Sequence, residues 1–81
     1  MVDIVHVSVL ADYRVHLRFD NGIERDVDLR PFLNGPAFEP LVRDRAEFER
    51  VHVDSGVGTI VWPNGADIDP DVLYEAALCV G

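Results

Sequence analysis

The chain has no lysine, a single cysteine and no apolar run near the roughly 20 residues a membrane-spanning helix needs. Each shortage excludes something. Cys79, alone, can close no intramolecular disulfide and build no multi-cysteine metal site, so its expected role is packing in the last helix. An intermolecular disulfide is its one covalent alternative. With no lysine, all fixed positive charge rests on seven arginines against 15 acidic residues, for a net charge of −8. A protein that tracks phosphates needs a basic stripe, so direct nucleic-acid binding and attraction to acidic membrane surfaces are both disfavoured. Met1-Val2-Asp3-Ile4 lacks the basic start of a secretion signal, and the expected location is cytoplasmic.

What is present fits one small α+β domain over residues 1–81, with no internal repeat and no Pro/Gly/Ser linker. A core of this size stabilises a fold by only about 3–5 kcal/mol, so homodimerisation would help. The acids are spread along the chain instead of gathered in a tail. A basic protein partner suits their sign, although a merely solvated, soluble surface is the commoner reason for such acidity.

The chain is organised around residues 62–75, where sheet gives way to helix. Trp62 closes an apolar strand, and Pro63-Asn64-Gly65 supplies a turn: proline pre-sets its dihedral, asparagine tolerates the next position and glycine accepts positive φ. Asp69 is then placed as an N-cap, Pro70 at the first helical position and Asp71 at the positive end of the helix dipole. Ile68 and Leu73 have the spacing of a hydrophobic staple. Beyond them Leu73, Ala76, Ala77 and Val80 recur at helical spacing, a stripe expected to lie on the sheet.

Upstream, residues 4–9 suit a first strand with Val5, Val7 and Val9 on one face and His6 and Ser8 on the other. In the second, Tyr13, Val15, Leu17 and Phe19 alternate with Arg14, His16 and Arg18; in the third, Ile23, Val27 and Leu29 alternate with Glu24, Asp26 and Asp28. Parity then decides the connection. A two-residue turn at Asn21-Gly22 would set Phe19 opposite Glu24 and carry carboxylates to the buried face. A three-residue loop, Asp20-Asn21-Gly22 with Gly22 left-handed, pairs Phe19 with Ile23 and Leu17 with Arg25. It also sets Arg18, His16 and Arg14 beside Glu24, Asp26 and Asp28 as three basic–acidic pairs, with Arg25 the misfit that must reach an edge.

Between Arg30 and Val42 three prolines and a glycine forbid a long helix, leaving one helical turn around residues 31–33, with Phe32, Leu33, Phe38 and Leu41 capping the core. Asp44 and Glu47 have capping-box spacing, which predicts a short helix over 45–49 that buries Phe48. Residues 51–53 and 59–62 form a second hairpin around Asp54-Ser55-Gly56. The fold expected is α+β: a small antiparallel or mixed sheet of about five strands, short helical turns, and one C-terminal helix packed on it.

Residue types that carry chemistry are present without the spacing that chemistry needs. His6, His16 and His52 each stand between apolar strand residues, facing away from the core, and none has a second His or Cys at metal-ligand spacing. No serine or cysteine lies in a nucleophile elbow. Asp67, Asp69 and Asp71 alternate as a calcium loop begins, but the sixth position, a glycine in such loops, is Val72, and the twelfth, a glutamate, is Leu78. Gly56 and Gly58 form no phosphate-binding fingerprint. No catalytic, cofactor-binding or metal residues are assigned. Trp62 and Tyr74 fit either core aromatics with satisfied polar tips or an exposed recognition patch, and a free strand edge is a second candidate binding surface.

Three segments, F-D-N-G at 19–22 with V-D-L at 27–29, P-A-F-E-P-L at 36–41 and W-P-N-G-A-D-I-D-P-D-V-L-Y-E at 62–75, resemble a small bacterial family, domain of unknown function 2442, whose fold is also described as like the N-terminal domain of a Nitrosomonas protein. The resemblance covers nearly the whole chain and implies an α+β fold with no established activity, cofactor or catalytic residues. It also implies kinship with predicted toxin–antitoxin-like pairs encoded side by side, some longer relatives carrying a helical DNA-binding domain that this chain lacks. The function expected is therefore a non-enzymatic protein-interaction module, the antitoxin-like partner of a two-protein system, binding through a sheet edge or the surface formed by Trp62, Pro63, Asn64, Gly65, Asp67, Asp69, Pro70 and Tyr74. A small-ligand-binding or catalytic domain is the alternative, and a transcriptional regulator is disfavoured by charge.

Overall fold

A computed structural model describes residues 2–78. Its elements in order are β1 (Ile4–Val9), β2 (Arg14–Phe19), β3 (Glu24–Asp28), a 3₁₀ turn (Arg30–Phe32), α1 (Glu39–Arg43), α2 (Arg45–Phe48), β4 (His52–Asp54), β5 (Thr59–Val61) and α3 (Pro70–Leu78). The fold is α+β, and its five strands divide into two antiparallel sheets, β1-β2-β3 and β4-β5, instead of one.

The three-stranded sheet has the register that parity demands. Arg14, Val15, His16, Leu17 and Arg18 pair with Asp28, Val27, Asp26, Arg25 and Glu24. The turn holds three residues: the Phe19 N–H donates to Ile23 O at 2.8 Å, the Gly22 N–H to Phe19 O at 3.0 Å, and Gly22 has φ 89°. β1 departs from simple alternation. Ile4 pairs with Phe19 but His6 with Arg18, so Val5 is the extra residue of a bulge and is half exposed while Ile4 enters the core. Inserting one residue shifts the side-chain phase, which is why Val5 does not share a face with Val7 and Val9.

Two helices occupy the middle. α1 was not expected from a segment so rich in prolines, yet Pro40 stands in its first turn, where a missing N–H costs nothing. α2 has Asp44 as N-cap, its carboxylate accepting from Ala46 N–H, and it buries Phe48. The reciprocal half of the capping box is not made: the Asp44 N–H donates to Pro40 O at 3.0 Å, and Glu47 faces Arg50 at 3.6 Å. The β4–β5 ladder runs one pair further toward the turn than expected, to Asp54 and Thr59, while Val51 and Trp62 lie just outside the strands.

The core joins the inner face of the first sheet (Ile4, Val15, Leu17, Phe19, Val27) to Leu41 and Phe48 of the middle helices and to Ile60, Trp62, Leu73 and Ala77. Ile68 and Leu73 are both buried, as a staple requires, and Ala76 is half-buried. Val80, the last member of the expected stripe, and Cys79 lie outside the described residues.

Candidate functional site

Residues 62–75 form a joint whose polar groups serve the backbone. Trp62 is a core residue at 2% exposure, and its indole Nε1–H donates to Phe48 O at 3.0 Å. Pro63-Asn64-Gly65 then makes the same turn as Asp20-Asn21-Gly22. The Trp62 N–H donates to Ala66 O and the Gly65 N–H to Trp62 O, both at 2.9 Å, with Gly65 at φ 91°.

In each turn the asparagine does two jobs. The Oδ1 atoms of Asn21 and Asn64 accept from the N–H groups of Ile23 and Ala66 at 3.1 and 3.0 Å. Their amides then reach distant segments: Asn21 Nδ2 donates to Tyr74 OH at 3.0 Å, and Asn64 Nδ2 to Ala37 O at 2.9 Å. Downstream, Asp67 bridges to Val61, Asp69 caps α3 by accepting from the Asp71 N–H at 2.8 Å, and Pro70 opens the helix. Tyr74 is half-buried with its ring edge-on to Phe19 at 4.9 Å. Of the eight residues expected to offer a surface, Trp62 contributes nothing to it, whereas Pro63, Asn64, Gly65, Asp67 and Asp69 are exposed.

The outer face of the first sheet holds a polar cluster that strand order alone does not spell out. His16 Nδ1 lies 2.7 Å from Asp26 Oδ1 and its Nε2 2.9 Å from Glu24 Oε1. Neutral imidazole has one N–H, so only the imidazolium satisfies both carboxylates. These hydrogen bonds, that from Glu24 first and that from Asp26 second, raise the His16 pKa above 6.5, and the bond from His16 lowers that of Glu24 below 4.5. The three expected pairs thus resolve differently. His16 takes two acids, and among the described residues neither Arg14 nor Arg18 makes an ion pair. Cross-strand reasoning looked only directly opposite; a ring nitrogen at each end also reaches the diagonal neighbour.

On β1, His6 Nε2 lies 2.8 Å from Ser8 Oγ, and Ser8 is the register partner of His16. A base beside a hydroxyl invites a nucleophile reading. Among the described residues, however, no carboxylate hydrogen-bonds His6 to orient it, both nitrogens of the neighbouring His16 already face carboxylates, and the strand's amides at that level belong to the sheet ladder. A shallow depression of about 480 Å³ lies elsewhere, between the 3₁₀ turn and α1, lined by Arg30, Leu33, Asn34, Pro36, Glu39 and Val42 among others. Among the described residues no group of three His, Asp or Glu side chains is placed to hold a metal ion.

The acids are spread along the chain, but the arginines are not. Between Arg14 and Arg50 stand all seven arginines and eight carboxylates, whereas residues 51–81 hold five carboxylates and no arginine or lysine. Within the middle helices the arginines are engaged, Arg43 with Glu39, Arg45 with Glu49 at 3.0 Å, and Arg50 with Glu47 at 3.6 Å. Two further acids belong to segments that adjoin this arginine-free stretch. The Asp20 N–H donates to Asp3 O, and the neighbouring Ile4 N–H to Gly58 O, both at 2.9 Å. The Thr59 hydroxyl then donates to Ile68 O, just before Asp69. A running tally of cations against chain position would have shown this asymmetry from sequence.

A family model described as "Protein of unknown function (DUF2442)" matches residues 4–78. No curated protein and no solved structure matches the chain.

Proposed function

The chain belongs to the DUF2442 family, described only as a protein of unknown function, and from that premise we propose that it is a non-enzymatic protein-interaction module, the acidic, antitoxin-like member of a two-protein system. The carrying observation is the separation of charge: three arginines are tied to glutamates in the middle helices, while residues 51–81 and the adjoining Asp3 and Asp20 carry carboxylates with no lysine or arginine among them. Such a surface attracts and orients a basic protein and repels nucleic acid and anionic lipid. The motif at 62–75 supports the same reading, since its polar groups cap, bridge or close turns. No helix among the described residues is long and apolar enough to cross a membrane.

Co-expression with the product of the adjacent reading frame tests this. The two proteins should co-elute at low salt and separate as ionic strength rises. Separate elution at low salt, with neither protein altering the other's toxicity, would overturn it. The depression beside α1 favours the alternative, a small-ligand site at Arg30 and Asn34. That alternative requires ligand-induced NMR shifts centred on those two residues.

A further inference from the structure

Among the described strands β1, β3, β4 and β5 each border a sheet, and β3 is the one of these that does not pack closely against a strand of the other sheet. β1 begins with the Ile4 N–H bonded to Gly58 O and lies against β4 and β5, and β5 is bridged at Val61 by Asp67. β3 has β2 on one side and no strand on the other. α3 packs against it from the core side, where Val27, Leu73 and Ala77 are buried.

Register says which backbone groups that edge presents. The Phe19 N–H bonds Ile23 O and the Leu29 N–H bonds Tyr13 O, so Ile23, Arg25, Val27 and Leu29 turn their N–H and C=O groups toward β2. In an antiparallel ladder the alternate residues turn theirs away. Those are Glu24, Asp26 and Asp28, all exposed, and their side chains form an acidic row on the outer face. One outward carbonyl, Glu24 O, is covered by Arg25, whose Nη1–H donates to it at 2.7 Å.

We propose that the β3 edge is a docking site for an extended basic segment of a protein partner, which adds as a fourth antiparallel or parallel strand beside Glu24, Asp26 and Asp28. This deepens the interaction reading above and rests on it: the strand contact lies on β3, and the carboxylates of residues 51–81 supply longer-range attraction. Charge decides the occupant. A second copy pairing β3 with β3 would set carboxylate against carboxylate along the contact, which is destabilising. A strand with Arg or Lys at alternate positions would instead extend the existing order, in which β2 sets Arg14, His16 and Arg18 beside Asp28, Asp26 and Glu24. The intervening residues of such a strand would lie on the side of Val27, so the recognised pattern is basic and apolar residues in alternation. Main-chain hydrogen bonds hold a docked strand and the alternate side chains select it.

The probe is the heptapeptide Thr-Arg-Val-Arg-Val-Arg-Thr, set beside a scramble of equal charge and a version N-methylated at the alternate residues that must bond β3. With the ¹⁵N-labelled full chain, the alternating peptide should shift the amides of Glu24, Asp26 and Asp28, slow their hydrogen exchange, and bind about tenfold more tightly than either control. On the protein side, Asp26→Pro removes an outward N–H without touching the β2 ladder and should abolish binding, whereas Asp26→Asn should only weaken it. Equal binding of all three peptides, shifts centred on Asp67, Asp69 and Asp71, or no binding would each overturn the edge assignment. The first two would leave a basic-partner module standing, whereas failure of the co-expression test would remove the partner itself.

Discussion

His16 holds two carboxylates at once, and this makes the outer face of the first sheet sensitive to pH. Because its pKa is raised on folding, the stabilisation it contributes is fully present below the unfolded value near 6.5 and is lost as pH rises through the folded value. Glu24 behaves oppositely: its depressed pKa stabilises the fold above 4.5, and that contribution disappears as pH falls through the folded value. Both are at full strength between 4.5 and 6.5. The His16 ring protons should therefore titrate by NMR with a midpoint above 6.5. The stability difference between the wild type and His16→Gln in urea should be larger at about pH 5.5 than at about pH 8.5. The side chain is about a third exposed, so the gap should be modest, of the order of a surface pair at roughly 0.2–1 kcal/mol. A gap that widens toward pH 8.5 would mean the imidazole serves β3 in its neutral form.

The two Asn-Gly turns are the elements that set strand register and helix placement, and they depend on a left-handed residue. Gly22 and Gly65 have φ 89° and 91°, with open space where a Cβ would stand, so substitution there tests conformation without a clash. Gly65→Ala should destabilise the fold by about 1–2 kcal/mol, and Gly65→Asn by less, because asparagine tolerates that region. Urea midpoints would check the order; equal losses would point to packing as the cause. These turns also mark how far sequence reasoning reaches. Phe19 to Ile23 could be placed because alternating residues run along both sides of the loop and a one-residue error would bury carboxylates. The cap of α3 was legible because Asp69, Pro70 and Asp71 carry their roles locally. Elsewhere local pattern misled: Pro36 and Pro40 read as breakers although Pro40 stands in the first turn of α1, and three in-phase valines concealed the bulge at Val5. Alternation says which face a residue takes but not which strands pair, so the division into two sheets had no local signal. The Asn21–Tyr74 and Asn64–Ala37 bonds join segments too far apart in sequence to anticipate.

Across the whole molecule, a net charge of −8 repels itself, and the repulsion is uneven. Glu39 and Glu49 each face an arginine, so neutralising them removes an attraction. Asp67 and Glu75 lie in a stretch without arginine or lysine, so neutralising them removes a repulsion. The consequence is a difference of sign. Asp67→Asn with Glu75→Gln should raise the melting temperature at about 10 mM ionic strength, where the screening length is roughly 30 Å, and Glu39→Gln with Glu49→Gln should lower it. At about 1 M salt, with screening over roughly 3 Å, the two variants should converge on the wild type. If both pairs shift the melting temperature in the same direction at low salt, the charge is not divided as the chain order and helix ion pairs indicate, and the electrostatic basis for a basic partner goes with it. If the signs differ, the first variant should also elute from a co-expressed basic partner at lower salt than the wild type. The carboxylates that strain the free protein would then be ones that steer the basic partner toward it.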